Sequence, residues 1–214
     1  MVKDAYRFAL PPIALGLLGL IFHWYWAAGV LIFLGLFVFY FFRDPQRKIP
    51  TDPGTVVSPA DGHVVAIVEE PFDGVTGRRI SIFLSIFDVH VQRAPFAGKI
   101  AKVVYKPGKF LGAYKHSASE VNEQNVIYMD TQQGRVVFKQ IAGAIARRVL
   151  CWKREGDTVA LGERVGMIRF GSRVDVYMPG AARPLVTMGT KAVAGETALA
   201  ELRSNAPRRN FKSS

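Results

Sequence analysis

Between Phe8 and Phe42 the chain carries no aspartate, glutamate, lysine or arginine, a run of about 35 residues. One untilted membrane helix needs only about 20. His23-Trp24-Tyr25-Trp26 falls near the middle of the run and divides it into two apolar halves. Aromatic clusters of this kind favour a membrane–water interface. Lys3 and Arg7 precede the run, and Arg43, Arg47 and Lys48 follow it. Positive charge at both ends predicts that both stay on the cytoplasmic side. Residues 1–43 are therefore read as a membrane-associated, re-entrant helical hairpin, with one tilted span as the alternative. A cleaved signal peptide fits neither the length of the apolar region nor Arg43-Asp44-Pro45, which offers no small-residue cleavage site.

A proline-rich connector, Asp44-Pro45, Ile49-Pro50 and Asp52-Pro53-Gly54, opens the rest of the chain. Beyond it the apolar pattern changes to period two. Strands are predicted at 62–68, 79–84, 98–105, 125–129 and 135–141, with a hairpin loop at Asp130–Gly134 and a short helix from about Ala142 to Val149. From Glu155 onward, glycine-punctuated short strands resemble the sandwich hybrid of biotinyl- and lipoyl-carrier domains. No lysine stands at the turn such carriers modify, so the likeness implies architecture and not carrier function. The expected fold is mainly β (α+β), a sandwich/barrel hybrid over residues 44–203 behind the helical hairpin. Residues 204–214 form a basic tail poor in apolar residues, expected to be disordered.

Charge and cysteine usage narrow the partners. The 28 lysines and arginines exceed the 17 aspartates and glutamates by 11. That surplus suits nucleic acid or an anionic membrane surface. The apolar run favours the membrane, and no basic-aromatic face supports nucleic acid. The single cysteine, Cys151, excludes an internal disulfide and reads as a small buried hydrophobe. No His/Cys/Asp/Glu set has metal-ligand spacing, so no metal is expected, and no Walker or Rossmann glycine loop is present.

Gly171-Ser172 interrupts apolar alternation in the segment Met167 to Tyr177, read as a strand pair. Glycine there permits a strained turn, and the next hydroxyl can reach the preceding carbonyl carbon, the geometry of an N→O acyl shift. A glycine bulge in a strand is the plainer reading of the same residues.

Four stretches settle the choice by likeness. Ser58-Pro59-Ala60-Asp61-Gly62, Phe83-Leu84-Ser85-Ile86-Phe87-Asp88-Val89-His90-Val91-Gln92-Arg93-Ala94-Pro95, Asn122-Glu123-Gln124-Asn125 and Phe170-Gly171-Ser172 resemble, in order and approximate spacing, the motifs of the short phosphatidylserine decarboxylases. The resemblance implies a proenzyme that cuts itself between Gly171 and Ser172. Ser172 would become a pyruvoyl cofactor that binds substrate amine as a Schiff base, and the two fragments would stay together as a heterodimer because the cut lies inside a shared sheet. It implies decarboxylation of phosphatidylserine to phosphatidylethanolamine on the cytoplasmic face of the cell membrane.

Asp61 and His90 are the implied bases or proton donors. Read without the family, Asp61 is an Asx-turn residue and His90 a core or edge histidine. Longer family members carry a second histidine three residues after the first, where this chain has Arg93. That departure leaves open whether His90, Asp61 or another residue drives self-cleavage. Arg93 is either a bidentate donor to substrate phosphate or carboxylate, or a solvated surface arginine. Asn122, Glu123 and Asn125 are expected to support the cleft at most, and His63 and His116 to be structural. A homo-oligomer through an exposed sheet edge is possible. The non-enzymatic alternative is a membrane-tethered, carrier-like binding module with an intact chain.

Overall fold

The computed structural model describes residues 2–74, 77–112, 118–144, 148–169 and 171–202. The basic tail, His116 and Phe170 lie outside the described residues.

The uncharged run forms two antiparallel helices, α1 (Asp4–Ile21) and α2 (Tyr25–Phe41). At about 1.5 Å per residue each is roughly 26 Å long. The chain reverses at residues 22–24, where His23 takes φ +60°. Close approach of the helices depends on residues without a side chain. A Cβ at Gly16 would lie 2.7 Å from Ile32 Cγ1, and one at Gly35 only 2.3 Å from Ile13 Cγ1. By length and composition α1 can cross a membrane, and α2 is a slightly shorter apolar helix. Phe22, Trp24, Tyr25 and Trp26 stand exposed at the turn.

The remaining elements are almost all strands. In chain order they are β1 (Thr55–Val57), β2 (Gly62–Glu69), β3 (Gly77–Leu84), β4 (Val91–Arg93) and β5 (Gly98–Lys106), then a single helical turn α3 (Ala118–Val121). There follow β6 (Gln124–Thr131), β7 (Gly134–Ile141), β8 (Val149–Cys151), β9 (Thr158–Val159), β10 (Arg164–Ile168) and β11 (Ser172–Pro179). The last three are β12 (Ala182–Pro184), β13 (Lys191–Ala192) and β14 (Ala198–Leu202). They make three antiparallel sheets: a curled eight-stranded sheet ordered β13-β2-β3-β11-β7-β6-β5-β9, and two three-stranded ones, β4-β10-β8 and β1-β14-β12. The fold is mainly β with a helical N-terminus, as the alternating sequence predicts.

Alternation decides which side chains enter the core. Val174, Val176 and Met178 of β11, Ile80, Ile82 and Leu84 of β3, and Val136 and Phe138 of β7 meet Ala94, Val165, Ile168 and Val149 of the smaller sheet's region in one apolar cluster. Each of these residues larger than alanine contributes about 1.5–3 kcal/mol by leaving water. The opposite face of β11 carries Arg173, Asp175 and Tyr177, also buried.

Three expectations change. The helix predicted from about Ala142 to Val149 is not seen among the described residues: residues 142–144 are irregular and Val149 opens β8, which pairs with β10, while 145–147 lie outside them. The hairpin loop is tighter than Asp130–Gly134, because both strands run on until Thr131 faces Gly134. The segment around Gly171 is not one strand pair. β10 pairs with β4 and β8, whereas β11 lies between β3 and β7 in the large sheet. Gly171 therefore sits at a junction between sheets, and Ser172 is the first residue inside the larger one.

Candidate active site

Ser172 is the first residue of β11 and lies opposite Leu84, the last of β3. It shares a strand face with Val174 and Val176, so its side chain points between the sheets. The residue is 0 % exposed, and its Oγ has no hydrogen-bond partner among the described residues. Gly171 takes φ +46°, in the left-handed region that glycine enters at least cost. Nothing lies within 4 Å of where its Cβ would be, so conformation and not crowding favours glycine there.

The loop that leaves β3 ends at His90, also 0 % exposed. The peptide N–H of Ile168, four residues before Ser172, donates to the His90 carbonyl at 3.3 Å. His90 Nδ1 lies 2.9 Å from the Asp88 carbonyl oxygen, which can only accept, so Nδ1 carries the proton. That assigns the lone pair to Nε2, which is buried without a partner among the described residues. Burial pushes the imidazole down to about 4, and the Arg43 charge adds to this; the Asp88 carbonyl and carboxylate oppose it. At neutral pH His90 is thus an uncharged acceptor in a dry setting.

His63, Phe83 and Arg173 share one cross-strand row, so Asp61-Gly62, Leu84 and Ser172 come to the same end of the sheet. Gly62 has φ +144°, and a Cβ there would lie 2.1 Å from the Phe83 carbonyl oxygen. Both Asp61 oxygens bind Arg47, at 2.9 and 3.0 Å, and Oδ1 also accepts from the Ala194 N–H at 2.8 Å. No hydrogen bond joins Asp61 to His90 or Ser172 among the described residues.

Arg93 is not a solvated surface arginine, being 8 % exposed. Its guanidinium donates to the Gly162 carbonyl at 3.0 Å, Asp44 at 3.1 Å and the Pro45 carbonyl at 3.2 Å. It ties the proline-rich connector to the loop before β10.

Asn122, Glu123 and Asn125 are buried, not solvated. Asn122 holds the backbone of Leu111 and Ala142. Asn125 starts a chain of buried amides: its Nδ2 donates to Gln140, Gln140 to Gln92, and Gln92 to the His90 carbonyl at 2.8 Å. Gln140 and Gln92 escape sequence reasoning, although a glutamine in the apolar run of β7 is a signal of buried pairing. Asp88 and Phe41, which touch His90, are missed as well. Among the described residues no group of three His, Cys, Asp or Glu side chains is placed to hold a metal.

The junction thus combines a glycine in the left-handed region with a buried, unbonded hydroxyl directly after it. Comparison with known proteins gives the chain a family. A family model described as phosphatidylserine decarboxylase matches residues 34–200. A phosphatidylserine decarboxylase proenzyme of Beijerinckia indica subsp. indica is 47 % identical over 203 residues, covering 90 % of this chain and 87 % of the relative. Proenzymes of the same name from Chlorobium phaeobacteroides (48 % over 168 residues; 78 % and 79 % covered) and Novosphingobium aromaticivorans (49 % over 195; 84 % and 77 %) are similar too. The chain belongs to the phosphatidylserine decarboxylase family.

Proposed function

We propose that the chain cuts itself between Gly171 and Ser172 and then, as a pyruvoyl enzyme at a membrane surface, decarboxylates phosphatidylserine to phosphatidylethanolamine. The observation that carries this reading is the wholly buried, unpartnered Ser172 Oγ directly after Gly171 at φ +46°.

Residue by residue, the first steps run as acyl transfer. Ser172 Oγ–H gives its proton to His90 Nε2 when the two come within hydrogen-bond reach, each being without a partner among the described residues. Oγ bonds to the Gly171 carbonyl carbon, the C–N bond breaks, and the Ser172 nitrogen takes a proton, leaving an ester. Loss of the residue-172 Cα proton and rupture of Cβ–Oγ free Gly171 as a carboxylate. The enamine takes a proton at Cβ to become an imine, one water replaces its nitrogen, ammonia leaves, and a ketone remains at position 172. Burial of the Ser172 hydroxyl on the apolar face of β11 suits these steps, since it limits competing hydrolysis of the ester. The pyruvoyl group supplies a carbonyl sink for the electron pair left when a substrate carboxylate departs as CO2.

Proton transfer is assigned to His90, because Arg47 and Ala194 already engage the oxygens of Asp61. Asp61 is assigned to positioning the turn at Ala194. Three of the five Arg93 N–H donors are committed to Gly162, Asp44 and Pro45, so its contacts favour holding the connector. The fragments would stay together through β11, held on both edges by β3 and β7 of the larger one. The exposed apolar hairpin supports a site held at headgroup level of the cytoplasmic leaflet, and the surplus of positive charge suits anionic lipid.

A denaturing gel tests the first step. Wild type should give fragments of about 19 and 5 kDa, at about 0.11 kDa per residue. An amine plus cyanoborohydride should then label the smaller fragment only, and vesicles containing phosphatidylserine should release CO2. An intact, folded wild-type chain would favour the binding module instead.

A further inference from the structure

The base of the hairpin touches both segments that deliver the site. On one side, the Phe41 ring at the end of α2 packs on the His90 imidazole, with centroids 4.3 Å apart and planes tilted 36°. Both residues are 0 % exposed. On the other, Phe41 and Phe42 join Ala5 of α1 and Met167 of β10 in one buried cluster. Two residues on, Arg169 pairs with Asp4 at 2.5 Å and lies 5.1 Å from the Phe8 ring. These contacts pin the chain just ahead of Gly171-Ser172 to the start of α1. The loop before His90 is held likewise: its Phe87 carbonyl accepts from Tyr40 at 3.2 Å and Arg43 at 2.5 Å, while the Phe87 ring meets Phe37 edge-on. A lipid anchor alone requires none of these bonds.

We infer that Phe41 is a positioning residue, and that the hairpin base is a wall of the processing site, keeping water from His90 and fixing residues 167–169. Seating of the hairpin and assembly of the site are then one event. The inference deepens the proposed function and rests on it for the reaction, but not for the state of His90.

Charged groups near that ring are few. Asp88 faces it from its own loop, Arg43 from the exit of α2, and Arg169 on the β10 side is occupied by Asp4. Burial is the dominant influence on its titration, so opening the Phe41 side should move it toward the ordinary histidine value.

The full chain, in nanodiscs, is labelled at histidine and titrated by NMR. His90→Gln assigns one of the four histidines. Wild-type His90 should titrate near 4. Phe41→Ala should raise it by roughly one pH unit or more, and Phe41→Met, apolar and of similar size, should restore most of the difference. The acid limb of self-cleavage should move with it. A folded Phe41→Ala chain with unchanged His90 titration, or a Phe41→Met chain shifted as far as Phe41→Ala, overturns the inference. If Phe41→Ala does not fold, Asp4→Asn loosens the hairpin from Arg169 without touching His90. A smaller upward shift then supports the inference, and none overturns it. A wild-type chain that is never cut would sink the proposed function, while the titration still decides this one.

Discussion

Ser172 and Asp175 stand three residues apart on β11, wholly buried on opposite faces of the strand. Asp175 is surrounded by partners: Arg173 Nε at 2.6 Å, Arg79 at 3.3 Å and the Ser119 hydroxyl. Burial would push its carboxyl up, but the Arg173 charge and the hydrogen bonds hold it below the usual carboxylate range. Ser172 Oγ has no partner among the described residues. A buried polar group left unbonded costs roughly 1–3 kcal/mol, whereas a satisfied cluster fixes one arrangement of the chain. The Asp175 face is thus built for folding. The Ser172 face keeps a hydroxyl unsatisfied at the position where the proposed chemistry requires it.

The largest effect should come from Ser172→Ala. Self-cleavage and CO2 release should be lost completely, read as a single chain near the 23.7 kDa of the precursor. Stability should nevertheless stay within about 1 kcal/mol of the uncut wild type, or rise, since the variant removes an unbonded group. A cut Ser172→Ala chain would misplace the nucleophile.

Asp175→Asn should do the reverse. Arg173, Arg79 and Ser119 lose their common anion, and breaking such a buried pair costs about 3–5 kcal/mol. Urea unfolding in the uncut Ser172→Ala background measures it. The folded fraction of an Asp175→Asn chain with Ser172 intact should still cut itself. A stable but uncut Asp175→Asn chain would erase the contrast between the two faces.

His90 comes next. Folded, it takes a proton only near pH 4; unfolded, near 6.5. Between those values the unfolded state holds more protons, so stability is full above pH 6.5 and falls as pH drops toward 4. The loss is roughly 3 kcal/mol over the window. His90→Gln in the uncut background should flatten this slope, and in the Ser172-intact chain it should slow self-cleavage by about 10²-fold or more.

How much of this was legible in sequence follows from range. The hairpin and the long strands depend on local periodicity and on a central aromatic turn, and they stand where the pattern predicts. Gly171 was legible as a break, but not as a junction between sheets, because the partners of β10 and β11 lie up to about 100 residues away. At the far end of the helix expected from Ala142, Val149 opens β8 instead, where pairing with β10 outweighs local preference. Ser172, Asp61 and His90 were named from motifs. Their surroundings (Phe41 against His90, Arg47 on Asp61, the Asn125–Gln140–Gln92 amides) join distant segments that no local pattern marks.

Lys139 gives the finest test of the contrast. It lies on the Asp175 side of the sheet, 6 % exposed, and pairs with no carboxylate within 4 Å among the described residues. Its ammonium sits instead over Phe72 at 3.8 Å and Tyr177 at 4.9 Å. Burial lowers its titration to about 8. Two aromatic faces compensate a desolvated cation only partly. Lys139→Met, which keeps the volume and removes the charge, should therefore raise stability at neutral pH. Between pH 8 and 10.5 the unfolded lysine still holds a proton that the folded one has released, so wild-type stability should rise with pH across that window. The Lys139→Met chain should lack that contribution. A loss as large as that of Asp175→Asn would place Lys139 inside the satisfied cluster, with Asp175 as its long-range counter-charge, and would show the folding face to be more completely paired than its hydrogen bonds indicate.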